Sequence, residues 1–133
     1  MHSELKKILY VEDDSCIQLV TRLALEDVGG MEVMVCSDGQ QALEAAAEFH
    51  PDLLLLDVVM PGLDGPATLH ELRKLAVTRD TSAIFMTAKV QPQEVEALMQ
   101  LPGTIEVIAK PFEPLTLAEQ LREAWNNHQH ASP

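Results

Sequence analysis

The chain has 133 residues, enough for one domain that buries a core without metal or disulfide staples. Its formal net charge of −12 argues against binding phosphate backbones or anionic membrane surfaces, so neither a nucleic acid nor a membrane is expected as a direct partner. No apolar run has the length of a membrane span and the N-terminus has no signal-peptide core. The two cysteines, Cys16 and Cys36, lack metal-ligand spacing, so buried reduced thiols in a cytoplasmic protein are expected.

In chain order, Lys7 to Val11 reads as a first strand that ends on Glu12-Asp13-Asp14. A helix follows, with Ile17, Val20, Ala24, Leu25 and Val28 at spacings of three and four, Asp14 or Ser15 at its start and Gly29-Gly30 at its end. Met31 to Cys36 is a second strand. Ala42, Leu43, Ala46 and Phe49 mark the next helix, which Pro51 ends. Leu53 to Leu56 is an unbroken apolar run, too short for most helices, and reads as a strand buried on both faces. It stops on Asp57, and Pro61-Gly62 and Asp64-Gly65 then force a loop.

A third helix is expected from about Gly65 to Val77, on the stripe Leu69, Leu72 and Ala76. Ala83 to Met86 is a fourth strand with Thr87 at its end. Pro92 opens a helix carrying Val95, Leu98 and Met99, which Pro102-Gly103 terminates. Ile105 to Ala109 is the fifth strand, running into Lys110-Pro111. Leu117, Leu121, Ala124 and Trp125 then face inward from a last helix. Residues 1–126 form the expected domain and 127–133 a polar tail, in which His128 and His130 are expected to be disordered rather than metal-binding.

Five alternations of strand and helix call for an α/β fold, a doubly wound parallel sheet with right-handed crossovers and helices on both faces. All strand carboxyl ends then share one edge, where open sheets of this type carry their ligand sites. Glu12, Asp13, Asp57, Thr87 and Lys110 fall on that edge. Alone, Asp57 could equally be a strand-end turn former and Lys110 a solvated lysine. Together, three carboxylates, a hydroxyl and an ammonium are what a magnesium-assisted phosphoryl site requires. Clustered carboxylates repel unless a cation joins them, and magnesium takes a few carboxylates plus waters and phosphate oxygens. A carboxylate can attack phosphorus to give an acyl phosphate, with the lysine offsetting charge and the hydroxyl donating to a phosphoryl oxygen.

These motifs give the chain its resemblance to the receiver domains of bacterial two-component response regulators, from about Lys6 to Trp125. The likeness rests on Ile8 to Asp14, on Leu56-Asp57-Val58-Val59-Met60-Pro61 with Asp64-Gly65, on Met86-Thr87-Ala88 and on Lys110-Pro111-Phe112. It implies a flavodoxin-like, CheY-like (βα)5 fold with strand order 2-1-3-4-5. It implies Asp57 as phosphoacceptor, with Thr87 and Lys110 as the phosphoryl-sensing hydroxyl and lysine. Mg2+ would be ligated by Asp13 and Asp57, by Glu12 through water and by the Val59 backbone carbonyl. A cis Lys110-Pro111 bond would aim the lysine inward.

The implied activity is phosphorelay signalling rather than turnover of a substrate. The phosphodonor would be a sensor histidine kinase or a histidine phosphotransfer protein, since no histidine here has a phosphodonor's helical context. Output would pass to a protein target through the face of the fourth helix, fifth strand and fifth helix. No output domain follows, so the receiver either stands alone or belongs to a longer chain.

Two positions depart from the family. Val107 stands where an aromatic switch residue is common, so signal transfer would depend on Thr87, Ala88 and Lys89 moving with the fourth helix. Leu101-Pro102-Gly103-Thr104 replaces a more flexible turn. Val59 and Lys89, two residues beyond Asp57 and Thr87, lie where an attacking water must pass and are expected to set the phosphoryl lifetime. A haloacid-dehalogenase-like phosphatase would need a carboxylate at the position of Val59. A degenerate receiver would lack one of the acids, the hydroxyl or the lysine, and none is missing.

Overall fold

The computed structural model describes residues 4–88 and 91–131. Five strands, β1 (Lys7–Val11), β2 (Glu32–Cys36), β3 (Leu53–Asp57), β4 (Ser82–Thr87) and β5 (Thr104–Ala109), form one sheet in the order β2-β1-β3-β4-β5, every pair parallel. The helices are α1 (Ser15–Arg22), α2 (Gly39–Phe49), α3 (Gly65–Leu72), α4 (Pro92–Met99) and α5 (Leu117–Ala131). This is the doubly wound parallel fold expected from the alternation of elements.

The central strand shows why its leucines must be consecutive. Side chains alternate across a strand, and both faces of β3 are covered. Leu53 and Leu55 join the layer of Ile8, Tyr10, Ile84, Leu117 and Trp125. Leu54 and Leu56 join the opposite layer with Leu9, Val11, Phe85, Leu69 and Leu72. All four leucines are fully buried, each stabilising the fold by about 1.5–3 kcal/mol relative to exposure. A strand fixed this firmly from both sides presents Asp57 at a defined point of the carboxyl edge.

Three boundaries differ from the sequence pattern. Beyond Arg22 the first helix widens into a π-helical segment, Leu23–Val28, closed by the Gly29 amide donating to the Ala24 carbonyl at 3.1 Å. The wider turn rotates the stripe, so Thr21, Ala24 and Leu25 are buried while Val20 and Val28 are 41% and 54% exposed. The third helix stops at Leu72, not Val77, because the Thr78 hydroxyl donates to the Leu72 carbonyl and a 3-10 turn, Ala76–Thr78, follows; Ala76 is exposed. At the other end of the chain α5 continues to Ala131, so residues 127–131, read as tail, extend a helix in which His128 is exposed. The side chain of His130 lies outside the described residues.

Candidate functional site

The carboxyl edge of the sheet brings the five candidate residues together. Glu12 leaves β1 with its amide donating to the Cys36 carbonyl at 3.0 Å, and the residue is 1% exposed. Asp57 ends β3 at 6% exposure, and Thr87 ends β4, also buried. The Lys110 amide donates to the Thr87 carbonyl at 2.9 Å, which sets the lysine beside β4. Its Nζ lies 2.9 Å from Glu12 Oε1 and 2.9 Å from Asp57 Oδ1, bridging the two buried acids. The Lys110-Pro111 bond is cis, as expected. Asp13 is exposed on the rim, with a carboxylate oxygen within 4.8 Å of oxygens of Glu12 and Asp57.

Burial shapes the charges. Desolvation raises the Glu12 pKa above the usual carboxylate range and the Asp57 charge adds to it, against the Lys110 and Asp14 amide hydrogen bonds. Desolvation by itself would lower the Lys110 pKa, but its hydrogen bonds to Glu12 and Asp57 outweigh burial and raise it. The lysine therefore stays charged wherever the protein is folded near neutral pH. One ammonium faces three carboxylates, which leaves the cluster net negative. Oxygen-only donors in an anionic cluster suit a hard divalent cation such as magnesium.

The architecture and this cluster coincide with one family. The response regulator receiver domain family matches residues 8–122, most of the chain. The chain is a member of that family. Its relatives include the transcriptional regulatory protein CseB of Streptomyces avermitilis, 33% identical over 130 residues, which span 98% of this chain and 53% of that protein. A protein-glutamate methylesterase/protein-glutamine glutaminase of Myxococcus xanthus is 37% identical over 106 residues, covering 79% of this chain and 30% of that one. The chain thus spans about half or less of the length of these curated relatives.

Among solved structures, the chemotaxis protein CheY4 of Vibrio cholerae superposes with a TM-score of 0.82 at 28% identity, covering 90% of this chain and 98% of that one. The receiver domain of the sensor histidine kinase PA1611 of Pseudomonas aeruginosa does so with a TM-score of 0.79 at 30% identity, over 91% of this chain and 98% of that one. The PA1611 structure carries a magnesium ion coordinated in its active site cleft.

Around the acid cluster, this receiver domain places the remaining candidates at different depths. Val59 is 64% exposed at the rim and Ala88 is exposed, while Val107 is half-buried against the layer containing Leu9 and Leu54. Lys89 lies outside the described residues. Three residues support the site, and of these Gln18 had no signal in the sequence while Asp14 and Gly65 were legible only as a helix start and a turn. Gln18 on α1 donates its amide to the Glu12 carbonyl and to Ser37 Oγ at 3.3 Å, tying β1 and β2 ends together. The Asp14 amide donates to Glu12 Oε2 at 3.1 Å while its side chain caps α1, accepting from Cys16 and Ile17. Gly65 packs on the site strand so tightly that a Cβ there would run into the Asp57 carbonyl oxygen.

Proposed function

We propose that Asp57 accepts a phosphoryl group from a phosphohistidine on a partner protein, a sensor histidine kinase or a histidine phosphotransfer protein. The observation that carries this reading is the Lys110 bridge: one half-buried ammonium holds Oδ1 of Asp57 and orients its carboxylate at the open edge of the sheet. In the transfer the other Asp57 oxygen bonds to phosphorus, the bond from phosphorus to the imidazole nitrogen breaks, and its electron pair returns to the ring. Lys110 offsets charge on the phosphoryl oxygens and the Thr87 hydroxyl donates to one of them. Asp13 and Asp57, with Glu12 through water and the Val59 carbonyl, are the residues that would hold Mg2+. When bound, the ion supplies charge neutralisation for the transferring group.

The donor has a surface to dock on beside the cluster. Leu19 and Leu23 on the first helix are 59% and 49% exposed. A cleft of about 410 Å³ lined by Cys16, Ile17, Val20, Phe112 and Lys110 runs from that face to the site. Exposed apolar residues this close together mark a protein contact rather than scattered surface. Phosphorylation would then bias the face of α4, β5 and α5, where a downstream protein is read out.

Incubation with Mg2+ and acetyl phosphate, followed by intact mass measurement, tests the reading. The protein is expected to gain the mass of one phosphoryl group, dependent on the metal, and Asp57→Asn none. Equal gain by Asp57→Asn would overturn the assignment.

A further inference from the structure

We infer that Gln18 is a positioning residue of the site: its hold on the Glu12 carbonyl keeps the Asp13 carboxylate in the acid cluster, where Mg2+ would take it. The inference rests on the metal role proposed above for Asp13. What it adds is the residue on which that role depends.

The three acids are held in unequal ways. Lys110 bridges Glu12 and Asp57, both buried. Asp13 is exposed, and no hydrogen bond or ion pair fixes its side chain among the described residues. Yet one of its carboxylate oxygens lies within 4.8 Å of oxygens of the other two. Its place is therefore set by the backbone.

The backbone at that point has just left the sheet. The Glu12 amide donates to the Cys36 carbonyl at 3.0 Å, beyond the last residue of β1. The Glu12 carbonyl belongs to the peptide that leads into Asp13, and no backbone amide reaches it among the described residues. It accepts from Nε2 of Gln18 instead. A peptide plane left free at its oxygen can turn about the soft dihedrals on either side, and such a turn swings the Asp13 side chain away from the cluster.

Gln18 is itself firmly seated. Its backbone amide donates to the Asp14 carbonyl at 2.9 Å, in the first turn of α1, which the Asp14 side chain caps. Its Nε2 also donates to Ser37 Oγ at 3.3 Å, and the Ser37 amide donates to Gln41 Oε1 on α2 at 2.8 Å. A side-chain amide offers two N–H donors, and both are engaged here. A carboxylate of the same shape only accepts, and a thioether of similar length donates nothing, so neither could hold the carbonyl.

Amide shifts of the isotope-labelled chain, read in chelator and through a Mg2+ titration, test the inference on Gln18→Met and Gln18→Glu. In chelator the amides of Asp13 and Asp14 should shift in both variants, and the Asp14 amide should exchange faster. Both variants should bind Mg2+ about tenfold more weakly than the parent, the usual scale for losing a group that orients a ligand. Phosphoryl uptake from acetyl phosphate should need correspondingly more of the ion to reach half its maximum. Gln18→Glu separates position from charge, because an added carboxylate acting through its charge alone would tighten Mg2+. Unaltered Mg2+ affinity in Gln18→Met or tighter binding by Gln18→Glu would overturn the inference. So would a lower urea midpoint in chelator with Mg2+ affinity unchanged, which would make Gln18 a structural tie. A parent without a saturable Mg2+ shift counts against the metal reading instead. The hold on Asp13 is then decided in chelator, where unmoved Asp13 and Asp14 amides overturn it.

Discussion

The role proposed for Val59 is to set a rate from the rim without holding the phosphoryl group. It is 64% exposed, two residues past Asp57, and offers no polar atom to orient a water for attack on an acyl phosphate. Val59→Asn adds a donor and an acceptor there and should hydrolyse the phosphoprotein several-fold faster; intact mass followed over time reads the rate, and an unchanged rate counts against the role. The two thiols separate in the same way by environment. Burial, and then the Asp38 charge, push the Cys36 pKa up to about 11, so at pH 8 its thiolate fraction is roughly one in a thousand. Because the folded state holds that proton more tightly than the unfolded one, stability falls as pH rises from the ordinary thiol range through about 11. Iodoacetamide at pH 8 should therefore label exposed Cys16 and reach Cys36 only in urea; equal rates in the native protein would contradict this. Glu12, Asp13, Asp57, Thr87 and Lys110 were legible as a set because each follows an apolar run that ends abruptly, and a parallel sheet puts all such ends on one edge. Gln18 and the fit of Gly65 against Asp57 were not, since both depend on how closely separate elements approach.

Elements in this chain were legible where one force fixed them. The run Leu53 to Leu56 reads as a strand covered on both faces, and it pairs in parallel with β1 and β4 on either side. The first helix does stop at Gly29-Gly30, as its glycines indicate, but the end of the third was not legible, because hydrogen bonds with residues outside it decide where it stops. Arg73 is the clearest case. Its guanidinium donates to the Pro102 carbonyl at 3.1 and 2.7 Å, to Thr78 at 2.7 Å and to Thr81 at 2.6 Å. It thereby ties the end of α3 to the turns that start β4 and β5, and Gly103, at φ +77, leaves it room. Arg73→Ala would strand three carbonyls and should cost about 2–3 kcal/mol in urea melts. Arg73→Lys should recover less than half, a point charge being unable to reach three acceptors at once. A loss under about 0.5 kcal/mol for the alanine variant would mean that water replaces the clamp.

For the molecule as a whole, the acid cluster sets function against stability. Without metal, Lys110 compensates Glu12 and Asp57, and Asp13 adds a third charge within 4.8 Å that no lysine or arginine pairs with among the described residues. Two carboxylates about 4 Å apart repel by roughly 4 kcal/mol at an effective dielectric of about 20. Solvent screens most of that for an exposed group like Asp13, so the surviving penalty should be below about 1 kcal/mol. The chain's net charge of −12 acts in the same direction, since every acid removed also relieves general self-repulsion. Asp13→Asn keeps the shape and removes the charge, and should stabilise the protein in chelator by a few tenths to about 1 kcal/mol. Mg2+ at tenfold excess over its dissociation constant should stabilise the parent by about 1.4 kcal/mol and the variant by much less. Urea melts of both proteins, with Mg2+ and with chelator, separate the two effects. A variant less stable in chelator, yet gaining as much from Mg2+ as the parent, would remove Asp13 from the ligand set and leave Glu12 and Asp57 to hold the ion.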